Sequence, residues 1–121
     1  MARILIIEDM KGVRDALEII LSMAGHQVVS ATNGSEGMEK IDGGTYDLVI
    51  TDILMPEVDG TEVIMHAKEK SPSTPVVAIS AGGNSVSVEQ ALMFANHKAD
   101  AVMEKPFSKD ELLAKVNELA V

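Results

Sequence analysis

No cysteine occurs in the 121 residues, so no disulfide braces the chain and nothing in it points to an oxidising compartment. Aromatic residues are almost as scarce, with two Phe, one Tyr and no Trp. At 46% hydrophobic residues, the interior must then be aliphatic, with the eight methionines filling gaps. Basic residues are outnumbered, 10 against 19 acidic, for a net charge of −9. That deficit argues against direct nucleic-acid binding, which draws on a positive surface to neutralise phosphates. Long apolar runs are missing too. None approaches the roughly 18 residues of a membrane span, and Met1-Ala2-Arg3-Ile4 lacks the shape of a signal peptide. The expectation is a cytoplasmic protein without membrane insertion.

What is present suits one domain over residues 1–121. Residues 4–7, 28–31, 47–51, 76–80 and 100–104 read as strands, mostly as continuous apolar runs. Such runs fit strands buried on both faces, as in a parallel sheet. Between them, Val13, Ala16, Leu17, Ile20 and Met23 repeat at helical spacing and stop at Gly25, a favourable helix terminus. Met38 and Ile41 mark a short helix after the turn Asn33-Gly34, ending before Gly43-Gly44. Asp59 with Glu62, Ser87 with Gln90, and Ser108 with Glu111 form capping boxes that open three more helices. Five strands alternating with five helices predict an α/β fold with right-handed crossovers.

Four polar groups follow four of these runs. Glu8-Asp9 follow residues 4–7, Asp52 follows Leu48-Val49-Ile50-Thr51, Ser80 ends the fourth run, and Lys105 comes just after the fifth. In an open parallel sheet the carboxyl ends of the strands share one edge, where ligands bind. Asp52 is the candidate nucleophile, because carboxylates form aspartyl-phosphate intermediates. An incoming phosphoryl group would be repelled by Glu8, Asp9 and Asp52, so the pocket needs positive charge. Mg²⁺ fits, since it takes oxygen ligands and binds one or two carboxylates together with phosphate oxygens. Lys105 adds a fixed cation and Ser80 a hydroxyl donor for phosphate oxygens. The adjacent glycines of the loop Ala81-Gly82-Gly83-Asn84 carry a high entropy cost when ordered, beside this site.

The chain resembles the receiver domains of response regulators, the phosphoacceptor modules of bacterial two-component signalling. The matching residues are Glu8-Asp9, the run Asp52-Ile53-Leu54-Met55-Pro56-Glu57-Val58-Asp59-Gly60, Ser80-Ala81 and Lys105-Pro106-Phe107. The run fits the specific pattern D-x-x-M-P-x-x-D-G, and the likeness covers essentially the whole chain. It implies a flavodoxin-like (βα)5 doubly wound parallel sheet of strand order 2-1-3-4-5. It also implies that a sensor histidine kinase or phosphotransfer protein phosphorylates Asp52, and that the phosphorylated form binds a downstream target protein. The metal ligands implied are the Asp9 and Asp52 carboxylates and the Leu54 backbone carbonyl, with Glu8 acting mainly through water. Lys105 would hold the phosphoryl group, and its bond to Pro106 would be cis.

Three residues before that lysine, receivers often carry an aromatic ring coupled to the Ser/Thr; here stands Val102, which is short and restricted at χ1. Leu54 and Gly82 occupy positions where polar side chains often orient an attacking water, which predicts a phosphoryl lifetime of minutes or longer. The chain closes one helix after Lys105, so no output domain is expected within it, although a piece excised from a larger regulator would read the same way. Two other classes compete. A haloacid-dehalogenase-like phosphohydrolase would need an Asp two residues after its nucleophile, where this chain has Leu54. A phosphorylation-independent interaction module would not need Glu8, Asp9, Asp52, Ser80 and Lys105 together.

Overall fold

The computed structural model describes residues 1–53, 60–80 and 99–120. Five strands, β1 (Arg3–Ile7), β2 (Gln27–Ala31), β3 (Leu48–Asp52), β4 (Val76–Ser80) and β5 (Ala101–Glu104), form one sheet in the order β2-β1-β3-β4-β5. Every pairing is parallel. Strands β3 and β4 are buried along their whole length, which is why they read as unbroken apolar runs rather than alternations. Described helices are α1 (Lys11–Met23), α2 (Gly34–Asp42), α3 (Gly60–Lys70) and α4 (Lys109–Leu119). The helix expected to begin at Ser87, the cap Asp59 and the loop at 81–84 lie outside the described residues.

Two apolar layers sandwich the sheet. Leu5, Ile7, Val49 and Ala78 pack with Val63 and Ile64 of α3 on one face. Ile4, Ile6, Ile50 and Ile79 pack with Leu17 and Leu21 of α1 and Leu112 and Val116 of α4 on the other. Alternate strand residues thus feed opposite layers, the two-fold side-chain period of a strand. Val102, at the expected aromatic position, packs partly buried against the first layer.

Local details differ from the sequence reading in three places. The inner row of α1 runs through Leu17 and Leu21, whereas Met23 is 84% exposed at the last turn. A step of four from Leu17 keeps to the buried face and a step of six leaves it. Among the described residues the methionines are not chiefly core: Met1, Met10, Met23 and Met65 are exposed, Met38 packs partly buried against the first layer, and Met103 is buried. Branched aliphatics already fill the interior, leaving little irregular space for a thioether. Asn33 does more than turn the chain, since its Oδ1 accepts from the Glu36 N–H at 2.8 Å and caps α2. At the other caps, Gly25 takes φ +93° after α1, and Ser108 Oγ accepts from the Glu111 N–H at 3.0 Å.

The amino ends of the strands are tied by side chains. Asp47 accepts from the Arg3 N–H at 2.7 Å, His26 Nδ1 from the Ala2 N–H at 3.0 Å, and Asp100 from both Val76 N–H and Lys68 Nζ. Met1 lies fully exposed at this edge. The carboxyl edge is left for chemistry.

Candidate functional site

Each candidate residue stands where a strand stops. Strand β1 ends at Ile7 and delivers Glu8 and Asp9, β3 ends on Asp52, and β4 ends on Ser80. Ile7 pairs with Thr51 and Asp52 with Ile79, so the strand ends align. Ser80 pairs with Glu104, and its carbonyl accepts from the Lys105 N–H at 2.7 Å, which brings the lysine to the same edge. The Lys105–Pro106 peptide bond is cis, as the resemblance implied.

Four of the five side chains expected to converge, those of Glu8, Asp9, Asp52 and Lys105, meet at the carboxyl edge, and Ser80 ends the neighbouring strand at that same edge. Lys105 Nζ lies 3.2 Å from Asp52 Oδ2 and 2.9 Å from Glu8 Oε1. Carboxylate oxygens of Glu8, Asp9 and Asp52 all lie within 4.8 Å of one another. Glu8 and Asp52 are 1% and 3% exposed, and Ser80 is equally buried, so water screens little of the charge. Leu54, the implied carbonyl ligand, lies outside the described residues.

Three carboxylates around one ammonium leave an excess of negative charge. Burial raises the Asp9 carboxyl above its usual range, the neighbouring Glu8 adds to this, and Lys105 only partly offsets it. For Lys105, burial works against the charged form, yet its contact with Glu8 and the charge of Asp52 outweigh it and raise its pKa. The ammonium therefore stays charged. Such a cluster of hard oxygens fits a divalent cation of the Mg²⁺ class better than any soft metal.

Glu8 is built in differently from its neighbours. Its Oε2 accepts from the Met10 N–H at 3.1 Å, at the start of α1. Its Oε1 meets the Lys105 charge at 2.9 Å, off the line that a well-directed hydrogen bond requires. Two residues escaped the sequence reading as contributors. Arg14, on α1, donates from Nη1 to the Glu8 carbonyl at 2.9 Å and lies 3.5 Å from the Asp9 carbonyl. Its signal was one cation, after Lys11, in the first turn of the helix that follows an acidic pair, too common to single out. Gly60 was noted only as the close of a motif. A Cβ there would lie 2.1 Å from the Asp52 carbonyl oxygen and 2.6 Å from Ile53 Cα, while its N–H donates to the Ile53 carbonyl at 2.7 Å. The first turn of α3 thus rests directly on the backbone of Asp52.

Among the described residues no helix is long and apolar enough to cross a membrane. A model of the response regulator receiver domain family matches residues 4–117. The chain is 34% identical over 114 residues to the transcriptional regulatory protein DltR of Streptococcus agalactiae, covering 94% of this chain and 50% of that protein. It is 33% identical over 118 residues to the transcriptional regulatory protein TcrA of Mycobacterium tuberculosis, covering 98% and 46%. The chain therefore spans about half the length of the curated relatives it matches. A CheY-like receiver domain protein from Methanospirillum hungatei superimposes with a TM-score of 0.90 at 30% identity, over 99% of this chain and 94% of that one. The response regulator TrrA of Thermotoga maritima, solved in complex with Mg²⁺ and BeF, gives a TM-score of 0.82 at 34% identity, over 98% and 99%. With matching strand order, an acidic notch at the expected edge and a family match along almost its full length, the chain belongs to the response regulator receiver domains, the phosphoacceptor modules of two-component signalling.

Proposed function

We propose that Asp52 is the phosphoacceptor, that Glu8 and Asp9 serve a Mg²⁺ ion beside it, and that Lys105 and Ser80 receive the phosphoryl oxygens. The observation that carries this reading is the Lys105 ammonium 3.2 Å from Asp52 Oδ2, inside a cluster of three carboxylates. In the transfer, an Asp52 carboxylate oxygen attacks the phosphorus of a phosphohistidine. The new O–P bond forms as the N–P bond breaks, and the imidazole leaves with its electron pair. When bound, Mg²⁺ neutralises charge on the phosphoryl oxygens. The Asp9 and Asp52 carboxylates, with the Leu54 carbonyl, would hold it, and Glu8 would act mainly through water. Lys105 is already at Asp52 and stays charged, so it can pair with a phosphoryl oxygen without a proton being moved.

The donor is a sensor histidine kinase or a phosphotransfer protein, which places the chain in the cytoplasm, where ATP charges such histidines. An apolar cleft of about 490 Å³, lined by Val13, Ala16, Ile20, Pro106 and Phe107, opens beside Lys105 and offers the donor a surface adjoining the site. The phosphorylated chain would then bind a downstream target protein. Residues 1–121 act as one receiver domain, which mediates its own phosphorylation and slow dephosphorylation but turns over no separate substrate.

Incubation with acetyl phosphate and Mg²⁺, followed by intact-mass measurement, tests the assignment. One phosphoryl group should be gained by the wild type and none by Asp52→Asn. A gain that survives Asp52→Asn would move the acceptor elsewhere. No gain at all would favour an interaction module that keeps the fold without the chemistry.

A further inference from the structure

We propose that Arg14 is a positioning residue for the metal site, acting through the backbone of the acidic pair; this rests on the reading of Glu8 and Asp9 as the metal-binding pair. The guanidinium holds the Glu8 carbonyl at 2.9 Å and lies 3.5 Å from the Asp9 carbonyl, from a helix whose first residue is Lys11. In a trans peptide the C=O and N–H lie in one plane and point in opposite directions. The Asp9 carbonyl and the Met10 N–H belong to the same peptide unit. Turning that carbonyl toward Arg14 therefore turns the Met10 N–H the other way, toward the pocket, where Glu8 Oε2 accepts from it at 3.1 Å. With Oε2 fixed, Oε1 is the oxygen that meets Lys105.

One side chain thus fixes a chain of orientations: the peptide plane, the Glu8 carboxylate and the loop that carries Asp9. The main-chain ties from the Glu8 N–H to the Ala31 carbonyl, 3.1 Å, and from the Arg14 N–H to the Met10 carbonyl, 2.9 Å, hold the two ends of the loop, but neither is made by the 9–10 peptide itself. Α planar guanidinium can serve two neighbouring carbonyls at once, whereas an ammonium on a flexible stem acts as a point donor. Losing the orienting residue behind metal ligands typically lowers affinity by roughly 10- to 100-fold.

The test is Mg²⁺ binding by calorimetry to wild type, Arg14→Ala and Arg14→Lys, with amide hydrogen exchange at Met10 measured in the absence of metal. The expected result is a Kd for Mg²⁺ raised roughly ten-fold in Arg14→Ala and by less in Arg14→Lys. Met10 exchange should quicken in the same order. Unchanged Kd and unchanged Met10 exchange in folded Arg14→Ala would overturn the proposal. If Arg14→Ala fails to fold, Arg14→Lys and Arg14→Gln decide by the same two measurements. Wild type that bound no Mg²⁺ would instead strike at the proposed function. Lys11→Ala, which breaks only the exposed pair with Asp15, serves as a control for loosening of α1; an equal loss of affinity there would also overturn the positioning role.

Discussion

At the residue scale, the site holds carboxylate repulsion that Lys105 only partly relieves. Asp9 and Asp52 stand with Glu8 around a single ammonium, and burial keeps the Asp9 carboxyl above its usual range. Replacing one carboxylate by its neutral isostere should relax this. Asp9→Asn is expected to raise the Tm of the metal-free protein by about 3–5 °C, on the order of 1 kcal/mol, as sites arranged for function often release stability when altered. The same variant should lose most of the extra stabilisation that saturating Mg²⁺ gives the wild type. Thermal melts with and without Mg²⁺ check both halves. Gly60→Ala tests the backbone contact under Asp52. The new methyl meets main-chain atoms that cannot swing aside, so unfolding in urea should show a loss of about 2–3 kcal/mol.

Gly12, also helical, behaves oppositely, and that contrast belongs to the scale of the element. Nothing lies within 4 Å of a Cβ placed there, so Gly12→Ala should stabilise the protein by about 0.5–1 kcal/mol. Asn33→Ala removes the cap of α2 and should cost about 1 kcal/mol, read from the same urea curves. Strands were the most legible elements. All five lie within one residue or so of their apolar runs, and the signal was densest in β1, β3 and β4, which are buried on both faces. Helix faces were less legible, since Met23 and Ala16 fall within the same periodic pattern as Leu17 yet are exposed, off the row that Leu17 and Leu21 bury. Contacts distant in sequence were invisible. Lys68 reads as one charge on a mixed helix, and only the fold sets it 2.6 Å from Asp100, where it helps hold the entry to β5. Glu8, Asp9, Asp52, Ser80 and Lys105 were legible because parallel strands turn a shared position at run ends into a shared place. Arg14 was not, because its partners are carbonyls, which every residue carries.

On the scale of the whole molecule, the question is how far a phosphoryl group can bias the fold. Inverting a 1:99 equilibrium takes about 5.5 kcal/mol of differential binding. In the proposed roles, charge-assisted hydrogen bonds from Lys105 and Ser80 to the phosphoryl oxygens would supply at most roughly 3–6 kcal/mol together, and Lys105 gives up part of its contact with Glu8 and Asp52 to make its share. Beryllofluoride with Mg²⁺ should therefore shift the population only in part, moving amide chemical shifts beyond the pocket to intermediate positions. Shifts confined to the immediate surroundings of Asp52 would contradict switching. Leu54 and Gly82 offer no polar side chain to orient an attacking water, so label on the purified protein should decay over minutes or longer. Decay within seconds would count against that.

Because every strand points the same way, Met1 emerges a full strand length, roughly 17 Å, from the acidic notch. A fluorophore, affinity handle or sensor-chip anchor joined there would leave the reactive mouth facing open solution, so immobilised protein should accept phosphate as readily as free protein does.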